Sequence, residues 1–435
     1  MSEIKRLWNR NFTVLWQGQL ISDFGNATFA VTLGFWVLSV TATPEMPQGN
    51  LALMGLIEAC FALPSVILGP FAGAVADRIN RKSILIAADL VRGILFAAMG
   101  AMLLFNVFPF WVIFPLAILS GASGAFFSPA ISASIPDIVP KDSLSKANSA
   151  RGLSSTLTQL MGNSLGGILY AVLRAPLLIL LNGISYLYAA VSQLFIKLPV
   201  RKSEGPRTDI VHDMSRGLKY SFGHKGIRTM LITSMLINFF AVIGLSLMTP
   251  LFNSTPGFGV QKYGLMMGTM MLGAVIGMLT LSAVKIKPQQ RSRIFGIALM
   301  SMVCVMVPIA IIGNVNWLYP LAFIAGINNA IVNVMVQTIM QSTVPAEHRG
   351  KVFGILGMVS GGLQPIAMAV SGVIGGTFGI RPTIITTFSL LVVAAMPMLF
   401  DRHFKAFINT DIETGESEAT PITVSSPATL ETPAE

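Results

Sequence analysis

The stretch Gly69-Pro70-Phe71-Ala72-Gly73-Ala74-Val75-Ala76-Asp77-Arg78-Ile79-Asn80-Arg81-Lys82 decides the fold. Its first half is small and apolar, and its second half is a tight cluster of charge. Apolar runs flank it at 51–76 and 83–105, each long enough for the about 20 residues that cross a bilayer. The charged half therefore reads as a short connection between two membrane helices. The same ruler, carried outward, finds spans near 12–40, 51–76, 83–105, 108–135, 144–172, 176–196, 227–252, 260–284, 292–313, 316–343, 348–375 and 379–400. The runs are continuous rather than alternating, which favours helices over a barrel.

Composition agrees. Of 435 residues 53% are apolar and 11% charged, with a mean hydropathy of +0.71. A soluble protein carries about 25% charged residues, so this chain has too few to cover a water-facing surface. A soluble enzyme, a disordered protein and a nucleic-acid binder are excluded on that ground. Cys60 and Cys304 lie far apart in apolar runs and read as small buried hydrophobes. No Cys/His cluster has metal-ligand spacing and no phosphate-binding loop appears, so no cofactor and no ATP chemistry is expected. The N-terminal apolar run is too long for a signal-peptide core and reads as a retained first span.

The net charge of +10 is a matter of topology. Lys and Arg on the connections that share a side with both termini number 25, against Arg174, Lys262 and Arg381 on the other side; Arg92 falls inside a span. That bias puts both termini in the cytoplasm of a plasma-membrane protein. The connection 197–226 carries Arg201, Lys202, Arg207, Arg216 and Lys219. Val211, Met214 and Leu218 recur there at helical spacing, which suggests an amphipathic helix on the inner leaflet, with a solvated linker as the alternative. The acidic stretch 401–435 is expected to be disordered.

An internal repeat is legible. Gly69 and Gly73 precede the connection after span 2, and Gly273 and Gly277 precede the one after span 8. Val139-Pro140 and Val344-Pro345 repeat at nearly the same offset. The chain thus divides into a bundle at 1–196 and a second at 227–400, with a central cavity between them.

The segment Gly73 to Lys82 resembles the signature loop of the major facilitator superfamily, G-x-x-x-D-R-x-x-R-[KR], and falls where that family has it. The stretches Leu15-Trp16-Gln17-Gly18-Gln19-Leu20-Ile21-Ser22, Ala87-Ala88-Asp89-Leu90-Val91-Arg92 and Phe127-Ser128-Pro129-Ala130 are similar to the macrolide-efflux branch of its drug:proton antiporters. The resemblance covers about residues 8–400. It implies an all-α fold of twelve helices in two six-helix bundles, and secondary active transport without enzyme activity. Its cargo would be bulky amphipathic or drug-like molecules exported against protons. Siderophore exporters and lysophospholipid transporters look similar, and a non-transporting scaffold is the alternative from another class. The implied partners are a small-molecule substrate, protons and membrane lipid, with a monomeric chain and no nucleic acid.

The resemblance also implies a gate. Asp77, with Arg78, Arg81 and Lys82, would close the cytoplasmic side against the start of span 11, where the helix dipole favours a carboxylate. Arg81 has two available partners, Asp77 and Asp137. Leu281 stands at the Asp77 offset in the second half, so any clamp there differs.

Ionisable residues inside a membrane are expensive and mark function. Asp23, Glu58, Asp89 and Arg92 read as intramembrane. Asp89 and Arg92 are three apart on one helix face and form an expected ion pair with a packing or gating role. Asp23 and Glu58 fall at a similar counted depth with no evident cation, and are the candidates for proton coupling. Amides supply candidate substrate contacts: Asn26, Gln159, Asn163, Asn238, Asn329, Asn333, Gln337 and Gln364. Amides also join helices, so each has both readings.

Overall fold

The structure, a computed structural model, describes residues 6–46, 49–140, 143–198, 219, 221–284, 286–344, 352, 355–359 and 361–409; a few side chains within helices, Asp77 and Arg78 among them, lie outside that set. All regular structure in the described residues is helical. The first half contains α1 (Arg10–Val40), α2 (Leu51–Arg78), α3 (Arg81–Leu104), α4 (Ile113–Ile138) and α5 (Leu144–Leu194). The second contains α6 (Lys225–Ser246), α7 (Met248–Ser254), α8 (Val260–Ala283), α9 (Pro288–Ile311), α10 (Val315–Thr343), α11 (Gln364–Phe378), α12 (Ile380–Phe400) and α13 (Arg402–Asn409).

Asparagines start several of these helices. Asn9, Asn50 and Asn80 accept hydrogen bonds from the backbone N–H groups of Phe12, Leu53 and Lys82 at 3.0–3.1 Å, which satisfies donors that a helix leaves unpaired at its start. Helix α5 is two spans in one. Arg174 adopts φ 63° and ψ 167° within it, and Pro176 follows. The chain folds back there, giving arms at 144–173 and 175–194. Eleven helical stretches among the described residues are long and apolar enough to cross a membrane, and the longest is this doubled one. Twelve spans result, and their ends lie within a few residues of the apolar runs wherever they are described.

The halves pack alike. In the first, α2 lies on α4, α3 on α4, and α5 on both α1 and α3. In the second, α8 lies on α10, α9 on α10, and α12 on α6 and α9. The halves meet through α2 against α11 and through α5 against α8. Glycines make both crossings. A Cβ on Gly55 would stand 2.3 Å from the Met368 carbonyl oxygen, and one on Gly372 2.2 Å from that of Leu51. A Cβ on Gly167 would meet the Val260 oxygen at 2.4 Å, and one on Gly264 the Ser164 oxygen at 2.4 Å. All four lie towards the end of the molecule away from the termini. Nearer the termini, a Cβ on Gly69, Gly73, Gly152, Gly357 or Gly361 meets nothing within 4 Å among the described residues. The halves thus pack backbone to backbone at the far end.

One expectation needs correcting. Disorder after Phe400 does not hold for α13. Phe404, Phe407 and Ile408 recur at helical spacing and are buried, with Phe404 against Phe295 and Phe407 against His224 and Gly226. Asn409 closes the contact, its Oδ1 accepting from the Ser292 N–H at 3.1 Å and its Nδ2 donating to the Ser292 hydroxyl at 3.2 Å. Three apolar side chains suffice to dock a two-turn helix that the acidic composition of the whole tail had hidden. The amphipathic helix expected around Val211, Met214 and Leu218 lies outside the described residues, as does 410–435.

Candidate transport site

A cavity of about 510 Å³ lies between the halves, just inside the far-end closure. Its walls come from α1 (Asn26, Phe29, Val31, Leu33), α2 (Glu58, Phe61, Ser65), α3 (Arg92), α4 (Ser120) and both arms of α5 (Asn163, Tyr186). The second half contributes Leu245, Ser246, Thr249, Tyr263 and Met368. Helical spacing explains the convergence on α2: Glu58, Phe61 and Ser65 recur at three and four residues and so share one face. Above the cavity an aromatic cluster bridges the halves. Phe35 of α1 lies 5.8 Å from Tyr170 of α5 and 5.6 Å from Tyr263 of α8, and Tyr263 lies 5.5 Å from Phe252 of α7.

Below the cavity lies a charge network. Asp89, 1% exposed, accepts from Arg92 Nη2 at 2.6 Å and from Gln193 Nε2 at 2.6 Å. The Arg92 guanidinium lies over two rings, 4.7 Å from Phe127 and 4.6 Å from Tyr186, a cation–π arrangement with each. The expected Asp89–Arg92 pair is thus formed, and Arg92 also reaches the cavity wall. Asp23 lies in the field of Arg92 and of Arg151, and Arg151 Nε donates to Gln19 Oε1 at 3.4 Å.

The shared depth and cation-free setting read for Asp23 and Glu58 are therefore corrected. Phe29 meets Phe61 at 5.7 Å, which levels Glu58 with about position 32 of α1. Asp23 is nine residues nearer the terminal end, roughly 13 Å at 1.5 Å per residue. The count failed because α1 starts at Arg10 and runs for 31 residues, well beyond a 30 Å core. Asp23 also lies in the field of two cations, Arg92 and Arg151. Arg151 was assigned to a connection, although it stands inside the apolar run 144–172, and that position was the available signal. Tyr186, Tyr263, Ser246, Thr249 and Gln193 were missed too, since hydroxyls and amides on a single helix face carry no signal of what they meet.

The amides divide. Asn26 and Asn163 line the cavity; Gln159, Asn238, Asn329, Asn333, Gln337 and Gln364 do not. Asn238 donates to the Ser234 carbonyl at 2.8 Å, and Asn333 to the carbonyl and side chain of Asn329 at 2.9 and 3.2 Å. These two bond within their own helices. Of the signature loop, Arg81 donates to Asp137 at 2.7 Å and to the Ala133 carbonyl at 2.8 Å. Lys82 donates to the Leu194 carbonyl at 2.7 Å. These three bonds stay within the first half. The side chains of Asp77 and Arg78, and the residues before 352 that would face them, lie outside the described residues.

Two bundles, inter-half crossings of span 2 with 11 and 5 with 8, and a cavity between them are the geometry of a rocker transporter. The Major Facilitator Superfamily profile matches residues 24–368. The chain belongs to that superfamily. This transporter is 22% identical over 425 residues to macrolide efflux protein A of Streptococcus pyogenes, covering 90% of this chain and 96% of that one. It is 25% identical over 397 residues to the staphyloferrin A transporter of Staphylococcus aureus, covering 88% and 95%. Among solved structures it resembles the nucleoside transporter NupG, with a TM-score of 0.67 at 14% identity over 89% of this chain and 98% of that one. It also resembles a bacterial homologue of the iron transporter ferroportin in an inward-facing state, with a TM-score of 0.67 at 15% identity over 90% and 98%. The chain is a multi-pass membrane transporter of a small molecule rather than an enzyme.

Proposed function

We propose that this transporter is a proton-coupled exporter of bulky amphipathic or drug-like molecules, working by alternating access in the plasma membrane with both termini in the cytoplasm. The observation that carries the reading is the cavity between the halves, with a carboxylate, two amides and aromatic rings on its wall. Its volume is that of a drug-sized site. The likeness to macrolide efflux protein A supports export of large molecules. The excess of Lys and Arg on the terminal side supports the orientation, which makes the terminal end the cytoplasmic one.

In this reading Glu58 and Asp23 take up and release the coupling proton. Asn26 and Asn163 contact the substrate. Asp77, Arg78, Arg81, Lys82, Asp89, Arg92 and Asp137 belong to the cytoplasmic gate. The transporter acts as a monomer. The bundles are 1–196 and 227–400, joined through 197–226.

The test is proton-driven transport into proteoliposomes, measured beside substrate binding for Asp23→Asn, Glu58→Gln and the pair. Loss of uphill transport with surviving downhill exchange is the expected result, because exchange needs no proton step. A doubly substituted protein that still concentrates substrate at the normal rate removes both residues from coupling. The likeness to the staphyloferrin A transporter favours a second reading, export of a siderophore; the same vesicles loaded with iron chelators test it.

A further inference from the structure

A second space lies behind the cavity wall, inside the second half. It measures about 20 Å³, and five methionines line it: Met248 of α7, Met266, Met267 and Met270 of α8, and Met306 of α9. Its other walls are Leu, Ile, Ala and Phe, so no polar side chain faces it among the described residues. A void of this size has room for one water, but a water needs polar partners, and an apolar void stays dry. Five thioethers thus surround a gap that neither water nor the protein fills.

Leu245 joins the two spaces. It lines both of them and is 39% exposed. The elements around it also serve both. On α8, Tyr263 lines the cavity, while Met266, Met267 and Met270 line the void. They follow Tyr263 at three, four and seven residues, and so continue its face of the helix. On α7, Thr249 lines the cavity and its neighbour Met248 the void. Methionine is unbranched and polarisable, with three rotatable side-chain bonds, so it repacks around a changing shape. A wall of β-branched residues would be stiff.

We propose that this void is a collapsed subsite for an apolar arm of the transported molecule. Leu245 swings aside, the methionines part, and an alkyl or aryl arm lies among them while the polar body of the cargo stays in the cavity. This rests on the cavity being the transport site, and it defines the cargo further, as an amphipathic molecule with a flexible apolar arm. Each methylene so buried tightens binding about fourfold. The subsite therefore selects for the arm rather than for the shape of the body, and cargoes of unlike shape share this one hold.

The test uses the purified full-length protein with Leu245→Cys, in a background lacking Cys60 and Cys304. Alkyl thiosulfonates attach a methyl or a hexyl chain to that cysteine through a disulfide. From position 245 a hexyl chain can lie in either space, and the methyl NMR signals of methionine report which. Relative to the methyl adduct, the hexyl adduct is expected to shift Met248, Met266, Met267, Met270 and Met306. Met368 lines the cavity instead and should hold still. A hexyl chain that shifts Met368 and none of the five overturns the inference, with no knowledge of the cargo required. The methyl and hexyl esters of rhodamine then probe the cargo, since they share one bulky amphipathic body and differ in the arm. Wild type is expected to bind the hexyl ester at least tenfold more tightly, read against empty micelles. Met266→Ile with Met270→Ile stiffens the wall at nearly constant volume. That pair should cut the advantage to under about threefold and leave the methyl ester unchanged. Equal binding of the two esters by wild type overturns the inference, as does an advantage that survives the isoleucines. If neither ester binds, the exporter reading is at fault, and the tethered chain still decides the subsite.

Discussion

The Arg92 guanidinium bonds Asp89 while it lies over two rings, so its removal strips three neighbours at once. Asp89 is 1% exposed, and an uncompensated buried charge costs about 3–5 kcal/mol. Arg92→Ala is expected to lower stability by that amount, read as thermal unfolding in detergent. Adding Asp89→Asn should return much of it, because the orphaned charge goes with it. Arg92→Lys should recover only part, since an ammonium has no planar face to lie over Phe127 and Tyr186. This pair was legible from two charges three apart on an apolar helix. Its electrostatic influence on Asp23 was not, because that joins α3 to α1 and no spacing within one helix encodes it.

At the scale of elements, apolar length located the spans well, since the bilayer fixes how long such a helix must be. One element escaped. The turn inside α5 did not: Arg174, in a left-handed conformation that a side chain rarely adopts, falls between the apolar runs 144–172 and 176–196. Helix α13 was concealed by the tail behind it. Its docking predicts that Phe404→Ala exposes the chain beyond Phe400 to protease, because truncating a fully buried Phe costs about 3–5 kcal/mol. Asp401 starts this helix. A hydrogen bond from the Thr229 hydroxyl, aided by the backbone N–H of His403, holds its carboxyl below the ordinary aspartate range. A depressed acid stabilises fully above its unfolded value, near 3.9, and loses that contribution as pH falls through the lower folded value. Protease resistance of 402–409 should therefore be alike at pH 5 and pH 8. Asp401→Asn should weaken it at both.

For the whole molecule, the two glycine crossings are what hold the far end shut. Gly55→Ala places a methyl against the Met368 carbonyl, and such overpacking costs about 1–3 kcal/mol. Gly69→Ala, fourteen residues along the same helix, meets nothing within 4 Å among the described residues and should leave stability unchanged. Cysteines at Ser164 and Gly268, where a Cβ on Gly268 would stand 3.5 Å from that of Ser164 and so within reach of a disulfide, should cross-link on oxidation in a background lacking Cys60 and Cys304. Transport should stop and then return on reduction. Transport at the normal rate in the oxidised protein would mean that this end never needs to open.

Those crossings also have a mechanical consequence. From Gly55 to Arg78, α2 extends 23 residues, an arm of about 35 Å. A rotation of about 10° around a fulcrum at Gly55 swings the far tip of that arm by roughly 6 Å, which is about the width of a helix backbone. An occupant of the cavity sits close to the fulcrum, beside Glu58, where the same rotation displaces it by under about 1 Å. The cargo therefore needs to favour only a small change in angle at its own site. The leverage of the long helices turns that into an opening or closing of the doorway on the other side.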